Sequence, residues 1–141
     1  MHYIDLLQAK KKLEVGKTVA FKISCDDKTL RKVPGGFAVN FQAHYDDYAN
    51  IALHFNPREK SSKVVVNTRI NKKWETELHI EDDMVGHVYF DSPFELKINV
   101  NEKNHVLIYV NGKFKTGYFC KIDITTAKYL CFPEGVRIMD D

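Results

Sequence analysis

Asn50-Ile51-Ala52-Leu53-His54-Phe55-Asn56-Pro57-Arg58 alternates apolar and polar side chains at period two, the signature of a strand with one buried and one open face. Ile51, Leu53 and Phe55 then point into a core, and His54, Asn56 and Arg58 stand in a row on the opposite face. The stretch before it behaves the same way, with Phe37, Val39 and Phe41 inward and Ala38, Asn40 and Gln42 outward. A hairpin through Asp46-Asp47 lays this row beside the first, so polar groups of two strands form one hydrogen-bonding surface.

Outward from there, most apolar segments are short, rich in Val, Ile, Phe and Tyr, and alternating. Strands are expected at Thr18 to Ser24, Phe37 to Ala43, Asn50 to Asn56, Lys63 to Thr68, Trp74 to Ile80, Phe94 to Val100, His105 to Val110, Tyr129 to Phe132 and Val136 to Met139. Pro34-Gly35-Gly36, Asn71-Lys72-Lys73, Asp91-Ser92-Pro93, Asn111-Gly112 and Pro133-Glu134-Gly135 punctuate them as turns. A short helical turn is expected around Asp123 to Lys128. Many strands at short spacing, without amphipathic helices, predict an all-β protein built as a sandwich of two antiparallel sheets. At 141 residues the chain reads as one domain, 1–141, with residues 1–12 as an N-terminal lead-in.

The charge balance is 21 basic against 19 acidic residues, interspersed along the chain, so bulk charge supports neither a nucleic-acid nor a membrane partner. Lys10-Lys11-Lys12 stands without interleaved aromatics and reads as a solvated turn. Cys25, Cys120 and Cys131 are odd in number and form no Cys-x-x-Cys pair, which predicts free buried thiols in a reducing compartment. No clustered Cys and His at zinc spacing suggests a metal, and no cofactor is expected. No apolar segment has signal-peptide or membrane-span length, so cytoplasmic synthesis is the expectation.

The chemistry gathers between His54 and Glu77. A histidine, two amides (Asn56, Asn67), a forked cation (Arg58), a carboxylate (Glu77) and the sole tryptophan, Trp74, lie within two dozen residues. A pyranose offers hydroxyls that donate and accept, plus one patch of C–H bonds. The planar polar groups suit the hydroxyl edge, and the indole face suits the C–H patch. Trp74 and Glu77 differ by an odd number of positions and would face opposite sides of a regular strand. For both to reach one ligand, the backbone must bend or bulge near Glu75-Thr76, or Trp74 must sit where the loop enters the strand. Glu77 and His79 share a face without such help. Glu75 and Glu77, considered as a glycosidase pair, lie on one short segment instead of flanking a bond.

His54-Phe55-Asn56-Pro57-Arg58, Val64-Val65-Val66-Asn67-Thr68 and Trp74-Glu75-Thr76-Glu77 together resemble the carbohydrate-recognition signature of the galectins, the β-galactoside-binding lectins. Leu13 to Thr18, Ser92-Pro93-Phe94-Glu95-Leu96 and Val106 to Phe114 extend the likeness over nearly the whole chain. The resemblance implies a jelly-roll sandwich of the concanavalin-type lectin architecture that binds β-galactosides of glycoproteins or glycolipids, without metal or catalysis, on its concave sheet. It also implies roles: His54, Asn56 and Arg58 on the galactose 4-hydroxyl, Asn67 and Glu77 on the 6-hydroxyl, Trp74 on the apolar face, and Arg58 and Glu77 on the adjoining sugar. Lactose or N-acetyllactosamine is the implied ligand type.

Two departures from the family pattern stand out. Glu75 replaces a common glycine and His79 a common arginine, and Asn56 and Asn67 are only eleven positions apart. Asn40, Gln42, Arg69 and His79 are candidates for an extended subsite, with Arg69 expected as a solvated loop residue. The competing readings are a galectin-like scaffold shifted to another glycan or to a protein partner, and, least favoured, a glycosidase. Weak single-site affinity, roughly millimolar to micromolar, makes multivalency through a homodimer or dense glycan display the expected mode of action. An edge strand near Asp140-Asp141 is one place for a second subunit. Export by a route independent of a signal peptide is compatible with these features. If neutral His54 accepts a sugar hydroxyl, binding is expected to weaken as pH drops through about 6.5.

Overall fold

The computed structural model describes residues 1–139. Among these residues twelve strands form two antiparallel sheets packed face to face: β1 (His2–Asp5), β2 (Thr18–Cys25), β3 (Val39–Gln42), β4 (Ile51–Arg58), β5 (Lys63–Ile70), β6 (Lys73–Trp74), β7 (Leu78–Glu81), β8 (Phe94–Glu102), β9 (His105–Val110), β10 (Lys113–Phe119), β11 (Tyr129–Phe132) and β12 (Val136–Met139). One sheet runs β1-β11-β3-β4-β5-β6, with β7 also paired to β5, and the other runs β10-β9-β8-β2-β12. The molecule is the expected β-sandwich.

Alternation places the core as expected. Leu53 and Phe55 of β4, Val39 and Phe41 of β3, and Val64 and Val66 of β5 are fully buried against Phe21, Leu96 and Ile108 of the other sheet. The Phe21 and Phe41 rings meet across the interface in a T-shaped contact 5.6 Å between centroids, and each buried side chain of this size contributes about 2–3 kcal/mol through apolar burial. A polar link crosses the same interface: the hydroxyls of buried Thr68 (β5) and Tyr118 (β10) are 2.8 Å apart, and Thr68 Oγ1 also donates to the Ala52 carbonyl.

Several boundaries differ from expectation. The stretch Trp74 to Ile80 is two strands, β6 and β7, with residues 75–77 outside both. The lead-in contains β1, which pairs antiparallel with β11, and β10 was not among the expected strands. Its seven residues show little alternation of burial and pair with β9 through a bulge between Phe114 and Thr116. The helical turn expected around Asp123 is present at Ile124–Thr126, capped by the Asp123 carboxylate accepting from Thr125 N. Short helical segments at Lys28–Arg31 and Gly86–Phe90 carry no amphipathic period and escaped the pattern. Asp140 and Asp141 lie outside the described residues. Cys25, Cys120 and Cys131 are free and buried, and burial pushes the Cys120 thiol up to about 12 and that of Cys131 up to about 11.

Candidate functional site

The open face of the larger sheet carries two cross-strand rows. Asn40, His54 and Asn67 are direct partners across β3, β4 and β5, and Asn56, Val65 and His79 are partners across β4, β5 and β7. Beside them Trp74 ends β6, and residues 75–77 pass over to β7. The result is an open pocket of about 420 Å³ lined by His54, Asn56, Arg58, Asn67, Trp74, Glu75 and Glu77. The six residues read as one constellation from the sequence are brought together.

Two of them are structural as well as exposed to the pocket. Asn56 is 3% exposed, and its amide donates both hydrogens to main-chain carbonyls of a preceding turn, Gly35 O at 2.8 Å and Phe37 O at 2.6 Å. Its Oδ1 accepts from Arg58 Nε at 2.8 Å. The turn can approach so closely because Gly36 has φ +54 and no side chain; a Cβ there would collide with the Pro57 carbonyl. Asn67, 2% exposed, donates from Nδ2 to Glu75 O at 3.0 Å and accepts from Thr68 N at 2.8 Å. One hydrogen of its amide remains for a ligand. The carbonyl it holds belongs to the strand break, so Asn67 fixes the path that brings Glu77 round to the pocket.

His54 Nδ1 lies 2.7 Å from Asn40 Oδ1. An amide oxygen only accepts, so the ring donates from Nδ1 and keeps Nε2 as an acceptor. Burial pushes the His54 pKa down to about 4, opposed by its contact with Asn56 and reinforced by the nearby Arg58 and Arg69 cations. This corrects the expected pH dependence: the imidazole stays neutral through 6.5 and protonates only in stronger acid.

Trp74 is 47% exposed, in keeping with its polar sequence neighbours. Its ring is tilted against His54 at 4.5 Å between centroids, and the Arg69 guanidinium lies 5.5 Å from its centre. Arg69 is therefore not a solvated loop residue. It belongs to β5, donates from Nη2 to Asp47 O and Ala49 O, and has a buried Nε without a protein partner. Its work is to brace the indole and the loop before β4.

At the opposite end the groups are charged. Glu77 Oε1 is 2.7 Å from His79 Nε2, and its Oε2 is 3.6 Å from Arg58 Nη2. The His79 bond, helped by Arg58, holds the Glu77 carboxyl below the usual carboxylate range. The short loop after Arg58 is pinned by Arg31, which clasps Glu59 with contacts of 2.6 and 2.8 Å.

Of the outlying candidates, Asn40 borders both this pocket's histidine and an adjoining cavity of about 490 Å³ that shares His54 and Asn56 and continues past Gly36 toward Cys131 and Phe132. His79 stands at the rim through Glu77. Gln42 does not continue the row. A register shift between Phe41 and Gln42 leaves it 1% exposed, with its amide donating to His44 O and Asp46 O. Sequence reasoning missed that Glu75 lines the pocket and that the Gly35-Gly36 turn supports Asn56. The first follows from the break expected at Glu75-Thr76; the second has no local signal, because the turn and β4 meet only in the fold.

Solved structures share this architecture. A substituted form of human galectin-16 is 22% identical with a TM-score of 0.74, covering 99% of this chain and 91% of that one. Sheep galectin-11, in a complex with glycerol, is 19% identical with a TM-score of 0.73, covering 99% and 93%. The Caenorhabditis elegans galectin LEC-6 is 17% identical with a TM-score of 0.71, covering 97% and 85%. At these identities the likeness is one of fold. The family model described as galactoside-binding lectin matches residues 6–140, a span that takes in every described strand except β1 and every residue of the pocket. On that match the chain belongs to the galactoside-binding lectins, the galectin family.

Proposed function

We propose that this chain is a non-catalytic, metal-independent lectin that binds β-galactosides such as lactose or N-acetyllactosamine in the pocket between His54 and Glu77. One observation supports this reading above the others: a half-exposed indole faces an acceptor imidazole, a free amide hydrogen and an ionised carboxylate around one open space of about 420 Å³. In this reading Trp74 covers the apolar face of galactose. His54 Nε2 and Arg58 serve the 4-hydroxyl, with Asn56 holding Arg58 in place, and Asn67 and Glu77 serve the 6-hydroxyl. Water competes for each hydroxyl, so single-site affinity falls roughly between micromolar and millimolar.

Calorimetric titration with lactose tests the proposal, with saturable one-site heat as the expected result. No heat with lactose and no retention of the protein on a galactoside-bearing glycan array would overturn it. Glu75 favours a second reading, because it lines the pocket at a position where the family commonly has glycine. A glycan other than a plain galactoside would then bind best, and lactose would fail to displace it.

A further inference from the structure

We propose that Arg31, which lines no part of the pocket, is a positioning residue for galactoside recognition: its clasp on Glu59 holds Arg58 ready for the sugar. The inference rests on the lectin reading above and deepens it.

Two stretches of main chain support Arg58. One runs from the turn Lys28–Arg31 to Phe37, and its Gly35 and Phe37 carbonyls accept both hydrogens of the Asn56 amide. The other is the turn Glu59–Ser61, which begins directly after Arg58. Asn56 Oδ1 accepts from Arg58 Nε at 2.8 Å. The guanidinium is thereby tied to the first stretch through Asn56 and to the second through its own backbone. Arg31 joins the two stretches, donating from Nε and Nη2 to the two oxygens of Glu59 at 2.6 and 2.8 Å. The contacts close into a ring: from Arg31 to Glu59, along the chain to Arg58, across to Asn56, on to Gly35, and back along the chain to Arg31.

The ring depends on the clasp because little else holds the second turn. No residue of either turn is buried, and among the described residues Glu59 makes the only side-chain hydrogen bonds of its turn. A planar fork met by both carboxylate oxygens fixes direction as well as distance. Gly86 makes room for it, since a Cβ there would collide with the Glu59 carboxylate and crowd Arg31 Nη2. Arg31 Nη1 also donates to Asp91, a bond that lies outside the ring. A guanidinium held in this way has less freedom to give up when a sugar arrives.

Calorimetry with lactose tests this on the full chain, beginning with the wild-type protein. Absence of heat there overturns the lectin reading and the assignment with it, before any substitution is made. Glu59→Gln sets an amide N–H against the Arg31 fork, and Arg31→Ala removes the fork. Each is expected to weaken lactose about fivefold, the increment for one rotamer-rich side chain left to be ordered on binding. Asp91→Ala takes away the other partner of Arg31. It is expected to lower the urea midpoint at least as much as Glu59→Gln while lactose affinity stays within about twofold of wild type. Hydrogen exchange of the Arg58 Nε–H, followed by NMR, should be slow in the wild type and in Asp91→Ala and faster in Glu59→Gln. Unchanged lactose affinity in Glu59→Gln, which keeps the shape of the native side chain, overturns the assignment. Equal losses in Glu59→Gln and Asp91→Ala also overturn it, since they mark a general loosening of the fold, as does an Arg58 Nε–H exchange rate that ignores Glu59→Gln.

Discussion

Asn56 and Asn67 are 3% and 2% exposed and hold main-chain carbonyls, whereas the side chains of Glu77 and His79 are 41% and 38% exposed and hold mainly each other. The two ends of one pocket thus have different standing in the fold. At the proposed galactose end, the groups that meet ligand are also groups the backbone needs, so their geometry is set before any sugar arrives. At the other end, Glu77 just before β7 and His79 on it hold mainly each other at a partly exposed rim, and their removal should leave the sandwich intact.

The sharpest way to break this contrast is Asn56→Ala. It strands the Gly35 and Phe37 carbonyls and the Arg58 Nε, and is expected to cost about 3 kcal/mol of stability in urea unfolding together with all measurable lactose binding. Acid comes next. The folded-state pKa of His54 lies below its unfolded value, so its stabilising contribution is complete above about pH 6.5 and lost as pH falls toward and through about 4, roughly 3 kcal/mol in all and about 2 kcal/mol by pH 5. His54→Gln should remove that part of the slope. Affinity for methyl β-galactoside, which depends on neutral His54, should meanwhile stay flat from pH 8 to 5 and decline only nearer 4. Trp74→Ala is expected to weaken lactose by about 1.5 kcal/mol, read by calorimetry, with a stability change below about 0.5 kcal/mol because half the ring is already exposed. Smallest is Glu77→Gln, about 1 kcal/mol in lactose affinity with unfolding unchanged; a loss of stability as large as that of Asn56→Ala would erase the distinction between the two ends.

The parts of this design that were legible in sequence are those governed by period two. Ile51, Leu53 and Phe55 went inward and His54, Asn56 and Arg58 outward because one strand, β4, carries all six, and its register shift against β5 between Ile51 and His54 does not disturb the alternation. The odd spacing of Trp74 and Glu77 foretold the break that β6 and β7 display. Illegible were features that depend on where non-neighbours meet. The two donors of Asn56 find acceptors at Gly35 and Phe37, some twenty positions away, and Gln42 is turned to the 44–46 carbonyls by a bulge that no alternation encodes. The depressed His54 pKa has the same origin, since burial beside two arginine side chains is a property of the assembled sheet. β1 has four residues and an exposed edge, too little pattern to announce a strand.

Cys25, Cys120 and Cys131 are 3%, 2% and 1% exposed, and burial raises the pKa of each thiol. The thiolate is the species that attacks maleimides and iodoacetamides, and it is scarce at neutral pH in all three places. The native fold is therefore a silent background for thiol labelling. A cysteine introduced at an exposed position beside the pocket, such as Lys72 or Thr76, would carry a fluorophore alone, and glycan capture could be followed as a change in emission without removing any native residue of the core.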